Sequence, residues 1–204
     1  MVKAKKDQST QQKILAASRE IFMEKGMDGA RMQDIADRAG INKALLHYYF
    51  RNKEKLFETV FIEAMASFLP KLHIIITGEA SLFEKIEQFV KEYIGMLQQN
   101  PYLPLFILNE VNKQPKSFIL KVWGEKRPPF KLFMQHIDAE VKKGIIKPIE
   151  AVQLISNMVS MCIFPFLSRP MIQWVTEIND EEFQRFIEKR KTAVSKFIID
   201  SIRK

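Results

Sequence analysis

Apolar residues recur three and four positions apart almost from end to end, and this periodicity commits the chain to helices packed on helices. No segment alternates apolar and polar residues as a half-buried strand would. Only 7 of the 204 residues are glycine, so few positions invite the tight turns of an all-β fold. The sequence therefore predicts an all-α protein. Apolar residues make up 47% and charged residues 27%, the balance of a soluble globular chain long enough for one or two domains.

Capping and stop signals divide this pattern into helices. Ser9 with Gln12 fits a capping box, so the first helix is expected to start near Ser9 or Thr10 after a frayed polar start, with Gly26 ending it. Its inner face holds Ile14, Leu15, Ala17, Ser18, Ile21 and Phe22. A short second helix is expected from about Arg31 to Ala39, stopped by Gly40. Asn42 suits the N-cap of a third, Lys43 to Phe50. A fourth is expected from Asn52 or Lys53 to about Pro70. Ser81 and Glu84 form a second capping box, opening a helix towards Gln99. Pro101 and Pro104 punctuate the next, which runs to about Lys113. A longer stretch from Pro115 to Lys143, with a break at Pro128 and Pro129, closes at Gly144. Pro148 precedes an uncharged helix reaching Phe164. Asn179 or Asp180 caps the last, on which Phe183, Phe186, Ile187, Val194, Phe197 and Ile198 share a face.

Residues 151–168 carry no charge and approach membrane-spanning length. They include Gln153, Ser156, Asn157, Ser160 and Pro165, so a buried or interface helix is the better expectation. The lysines near the N-terminus lead into no apolar run, so a signal peptide is not expected. The lone cysteine, Cys162, permits no internal disulfide, suits a reducing cytoplasm and reads as a small core residue. The net charge of +8 and pI of about 9.5 favour an anionic partner, nucleic acid or an acidic membrane surface, without choosing between them.

Residues 31–57, RMQDIADRAGINKALLHYYFRNKEKLF, are the most informative segment. Two short helices flank a turn at Gly40, and Ile41 plugs the corner. Leu46 and Phe50 lie one turn apart and can pack on Ile35 and Ala36. Lys43, Ala44, Leu45, His47 and Tyr48 are left facing water. A solvated face should be rich in Glu and Lys, whereas this mixture suits a DNA major groove. Ala44 and Leu45 can touch a thymine methyl, and Lys43 can donate to guanine. Arg38, Arg51, Lys53 and Lys55 form a basic rim opposed by Asp34, Asp37 and Glu54. The start of the fourth helix adds a phosphate site near Lys53. An amphipathic helical hairpin with a basic rim is the other reading of this segment.

KILAASREIFMEKG at 13–26 and DIADRAGINKALLHYYFRNKEKLF at 34–57 resemble the DNA-binding domain of the tetracycline-repressor (TetR) family. That family has an apolar first helix ending in Gly, an Ile-Ala pair, a Gly-Val/Ile turn and a Leu-Tyr-Tyr-x-Phe-x-x-Lys run. Ile35, Ala36, Gly40, Ile41, Leu46, Tyr48, Phe50 and Lys53 fall in place. The resemblance covers about a quarter of the chain. It implies that residues 1–52 form a three-helix helix-turn-helix domain, and that residues 53–204 form an effector-binding and dimerisation domain. It further implies that Gln33, Lys43, Ala44, Leu45 and His47 face bases, with Asn42 beside them at the N-cap, while Tyr48, Tyr49 and Lys53 hold phosphates. Two departures stand out. Arg31 and Met32 replace the Thr that usually caps the second helix, so Arg31 can take over a phosphate but not the cap. His47 replaces a Tyr, and can read a base or contact the backbone.

The family implies a sequence-specific regulator acting as a homodimer on a palindromic operator, with the late helices 149–164 and 179–202 as interface. It implies a repressor released by a small effector held in the middle of the chain. There Phe89, Tyr93, Met96, Phe106, Trp123, Phe130, Phe133 and Met134 supply an adaptable apolar lining, and otherwise are plain core. Asn109, Glu110 and His136 are candidate polar contacts. A phosphate loop, a dinucleotide glycine motif and metal-spaced ligands are all missing from the sequence, so no enzyme, cofactor or metal is expected, and no membrane. The rival is a basic helical adaptor or membrane-surface protein without sequence-specific DNA binding.

Overall fold

The computed structural model describes residues 2–113, 120 and 129–204. Among these the chain forms helices α1 (Val2–Gly29), α2 (Met32–Ala39), α3 (Lys43–Tyr49), α4 (Lys53–Thr77), α5 (Leu82–Gln99), α6 (Leu103–Lys113), α7 (Phe130–Lys142), α8 (Ala151–Leu167), α9 (Arg169–Thr176) and α10 (Asp180–Ile202). An isolated antiparallel bridge between Ile146 and Arg203 ties the chain's end to the loop after α7.

The stop signals behave as their chemistry dictates. Gly26 breaks α1 with φ 66° and ψ 179°, a conformation that favours glycine. Gly40 closes α2 in the left-handed region, its N–H donating to the carbonyls of Ala36 and Asp37. Ser81–Glu84 and Asn179–Glu182 form reciprocal capping boxes at α5 and α10.

Three boundaries differ from expectation. α1 begins at Val2, so Ser9 and Gln12 lie inside it rather than capping it; the Lys, Ala and Gln of that stretch are good helix formers and nothing there stops a helix. α4 continues through Pro70 to Thr77. Proline removes one helical hydrogen bond and strains the turn before it, but the buried side chains of Leu72, Ile75 and Ile76 continue the apolar face and hold the helix together. The exposed helix α9 follows α8 at a bend of 73°. The expected stretch 115–128 lies outside the described residues, apart from Leu120.

α4 joins the two halves of the molecule. Its first turns bury Leu56, Phe57, Val60 and Phe61, and its last turns bury Leu72, Ile75 and Ile76. At the joint Phe57 meets Phe22 of α1 at 4.6 Å between ring centroids, Tyr102 at 5.4 Å and Phe106 of α6 at 4.3 Å. The ion pair Arg19–Glu63 also links α1 to α4. In the body, α5 packs on α4, α8 and α10. Cys162 is buried there, and burial pushes its thiol up to about 12, so it sits in the core as an inert small side chain.

α4 is long and apolar enough to cross a membrane by composition. The uncharged α8 divides its side chains differently. Leu154, Met158 and Cys162 are buried, while Val152 and Phe164 stand in solvent.

Candidate nucleic-acid interface

α3 is short, and its N-terminal cap and one buried residue fix it in place. The Oδ1 of Asn42 accepts the backbone N–H of Leu45 at 2.8 Å, and Leu46 is fully buried against the core that includes Ile35 and Ala36. Phe50 is buried at the helix's end, and Ile41 packs half-buried at the corner. A seven-residue helix is marginal alone, so the cap counts. Asn42→Ala is expected to lower stability by about 1 kcal/mol, read as a lower thermal midpoint with little change in the far-ultraviolet circular dichroism of the native state.

The opposite face of α3 is open. Lys43, Ala44, Leu45, His47 and Tyr48 are exposed, Tyr48 at 80%. Tyr49 is half-buried and meets the Tyr48 ring edge-on at 5.4 Å. The Nδ1–H of His47 donates to the carbonyl of Arg51 at 3.2 Å. A carbonyl only accepts, so this bond places a proton on Nδ1. The ring is thus tied to its own chain while remaining exposed on the open face.

On α2, Arg31 makes no side-chain cap bond. Asp34 places its carboxylate in the first turn of α2. Lys25 contacts the same carboxylate at 2.7 Å, and this bond is the largest cause of its pKa lying below the usual carboxylate range. Gln33 is exposed, with its amide held by Asp37 at 2.8 Å. Lys53 is half-buried, its Nζ donating to the Asp28 carbonyl at 3.4 Å, which moors α4's first turn to the turn between α1 and α2. Two of its three ammonium protons remain for a phosphate.

The basic rim is smaller than the sequence suggests. Arg38 points back to Glu20 and Glu24 of α1, at 2.7 and 3.0 Å, and Lys55 pairs with Glu58 at 2.9 Å. Both cations bind carboxylates from outside the 31–57 segment, which a census of that segment could not count. Lys43, Arg51 and Lys53 form no ion pair among the described residues, so they remain available to DNA.

The expected effector residues do not converge on one chamber. Phe89, Phe130 and Phe133 line an apolar cavity of about 10 Å³ between α4, α5, α7 and α8. Met96 lines a separate open cleft of about 450 Å³ among α1, α4, α5 and α10, together with Arg19, Glu63, Lys71 and Lys91. Phe106 belongs to the joint with Phe57. Tyr93 stacks between Phe68 and Phe89, 5.4 Å from each, and Met134 packs half-buried against the core. Trp123 and the side chains of Asn109 and Glu110 lie outside the described residues. His136 is half-buried near Glu140, at 3.9 Å. Among the described residues no three His, Cys, Asp or Glu side chains gather as a metal site.

Residues 14–60 match the family model described as bacterial regulatory proteins, tetR family. The chain is 22% identical to the fatty acid metabolism regulator protein of Bacillus subtilis over 170 residues, covering 83% of this chain and 84% of that one. It is 24% identical over 136 residues to IcaR, the negative transcriptional regulator of the biofilm operon icaADBC in Staphylococcus aureus, covering 66% of this chain and 67% of that one. Among solved structures, the transcriptional regulator FadR from Bacillus subtilis, in complex with stearoyl-CoA, shares the fold with a TM-score of 0.64 at 17% identity, across 94% of this chain and 99% of that one. The family match spans α1 to the start of α4, where the open face of α3 lies, and the shared fold extends through the body. Residues 14–60 thus carry a DNA-binding domain of the tetR family of bacterial regulatory proteins, and the remainder shares its fold with solved regulators such as FadR.

Proposed function

We propose that this chain is a homodimeric repressor. In this reading residues 1–52 bind a palindromic operator and residues 53–204 dimerise and hold a small apolar or amphipathic effector that releases the DNA. The observation that carries the reading is the division of α3, with Leu46 fully buried and Lys43, Ala44, Leu45, His47 and Tyr48 open on the other side. Lys43, Ala44, Leu45, His47 and Gln33 would meet base edges in a major groove, with Asn42 holding the helix that carries them. Arg31, Tyr48, Tyr49 and Lys53 would hold phosphates. IcaR, named as a negative regulator, supports repression. FadR, solved with stearoyl-CoA, supports a lipophilic effector. The cytoplasm, where the genome lies, is the site of action.

Two readers on a two-fold axis contact successive major grooves, and an effector that alters their separation weakens the pair. The rings at the joint offer a route for this. Tyr102 and Phe106 touch Phe57 on α4, and Tyr102 also touches Phe22 on α1, so a shift of α6 moves the reader. By linkage, the operator weakens the effector by the same factor.

Fluorescence anisotropy with an operator selected from random duplex tests the DNA half. Lys43→Ala is expected to reduce preference for the operator over mismatched duplex by about 1–3 kcal/mol. Lys53→Ala should weaken all duplexes alike and reduce the slope of log affinity against log salt by about 1. Normal operator binding by both folded variants would place the reader elsewhere. A basic adaptor would bind every duplex equally and lose all of them as salt rises.

A further inference from the structure

The core-facing positions of α5 run Leu82, Lys85, Ile86, Phe89 and Val90, so a lysine stands within an apolar stripe. Lys85 is only 5% exposed. Its Nζ donates to the carbonyl of Ile76 at 2.9 Å, in the last turn of α4, where helix carbonyls lack partners and a cation is favoured. An ammonium has three protons to donate. No carboxylate among the described residues pairs with it. The nearby acid, Glu140 on α7, is held by Lys143 at 2.9 Å, with His136 at 3.9 Å. A buried ammonium without a counter-ion is costly.

The apolar cavity begins beside this lysine. Ile76, whose carbonyl Lys85 holds, lines it, and so does Phe89, one turn along the same face of α5. Phe133 lines it from α7, and His136 follows one turn later. Burial first, and then the charge of Lys85, hold the His136 imidazole below its usual range, so it is a neutral hydrogen-bonding group near neutral pH. The cavity's volume of about 10 Å³ is near the least that holds one water, and an apolar lining keeps such a void dry.

We propose that Lys85 is the head-group anchor of the effector site, and that the effector is an apolar carboxylate of the fatty-acid type. Its carboxylate supplies the counter-ion that Lys85 lacks, with His136 beside it, and its chain lies among Phe89, Phe133 and Met158. No chain fits a void of this size unless the lining moves. Met158 is unbranched and readily changes shape. Occupancy and a changed body conformation are therefore one event, which is what release of an operator requires. The inference rests on the effector half of the proposed function.

Isothermal titration of the full chain with sodium dodecanoate and with dodecanol, both below their aggregation concentrations, tests it. The carboxylate is expected to bind at least about tenfold more tightly than the alcohol, the gain of one charge-assisted contact. In Lys85→Met the two should bind within about twofold of each other, and Lys85→Arg should restore the preference. Equal binding of both probes by the wild-type chain, binding of neither, or a preference kept in Lys85→Met would overturn the proposal. Because the wild-type ratio decides alone, the test survives a Lys85→Met chain that fails to fold. Anisotropy on the same wild-type sample separates the two levels. Operator binding without a dodecanoate preference removes only the anchor, whereas no operator binding removes the regulator beneath it.

Discussion

Phe197→Glu is expected to split the dimer into monomers and to lower operator affinity by about 10²–10⁴-fold, the range lost when two linked readers become separate ones. Phe197 lies on α10 at 62% exposure, although the sequence places it on the same face as buried Phe183, Ile187, Val194 and Ile198. It is not isolated. Val152 and Phe164 on α8 are exposed as well, and so are Met171, Trp174 and Val175 on α9, with Trp174 at 83%. These exposed side chains lie on the late helices where the dimer interface is expected. In a two-fold interface each substitution acts twice, and two carboxylates would lose their water where two phenyl rings had packed. Sedimentation equilibrium reads the mass, and anisotropy reads the affinity. The exposed indole of Trp174 adds an emission band that should lie further to the red in the monomer. A Phe197→Glu chain that remains a dimer with wild-type operator affinity would move the interface off α10.

Phe57→Ala is expected to destabilise the protein by about 3–5 kcal/mol, as a fully buried Phe commonly does when truncated. The side chain lies at the junction of α1, α4 and α6, touching Phe22, Tyr102 and Phe106. These ring contacts add about 0.5–1.5 kcal/mol per pair beyond their buried area. Urea unfolding should show the loss as a lower midpoint. Among molecules that remain folded, the effector should change operator affinity by a smaller factor, because the packed connection from α6 to the reader is interrupted. A loss below about 1 kcal/mol would mean that the site collapses around the missing ring and that the joint is not tightly packed.

The reader was legible because its determinants are local. Gly40, Ile41, Asn42, Leu46 and Phe50 lie within eleven consecutive positions, and each acts on a neighbour within a turn or two. Cap, corner and buried stripe therefore appear in the sequence as spacing. Features that depend on distant partners were not legible. Arg38 reads as part of a basic rim until α1 brings Glu20 and Glu24 to it. Pro70 reads as a stop, but the core gained by Leu72, Ile75 and Ile76 outweighs the lost hydrogen bond. α9 buries no side chain fully and packs mainly Ile172 against the core, so its apolar signal is weak. The middle of the chain offered aromatic and Met residues without saying which share a space. Phe89 and Phe133 do, while Met96 and Phe106 face elsewhere. Lys85 did leave a signal, a cation at a core-facing position of α5, but one charged residue in such a stripe is easily taken for a long side chain reaching to solvent.

Selection of bound sequences from a pool of random duplex DNA by the purified chain tests the role of α3 most directly. A pair of inverted half-sites should emerge, with centres one helical turn of about 10–10.5 base pairs, or a multiple of it, apart. Enrichment should fade at the position where Lys43→Ala is substituted for the wild-type chain. Recovery of sequences with no shared motif, or of the same motif at the same strength from Lys43→Ala and wild type, would contradict a reading helix at residues 43–49.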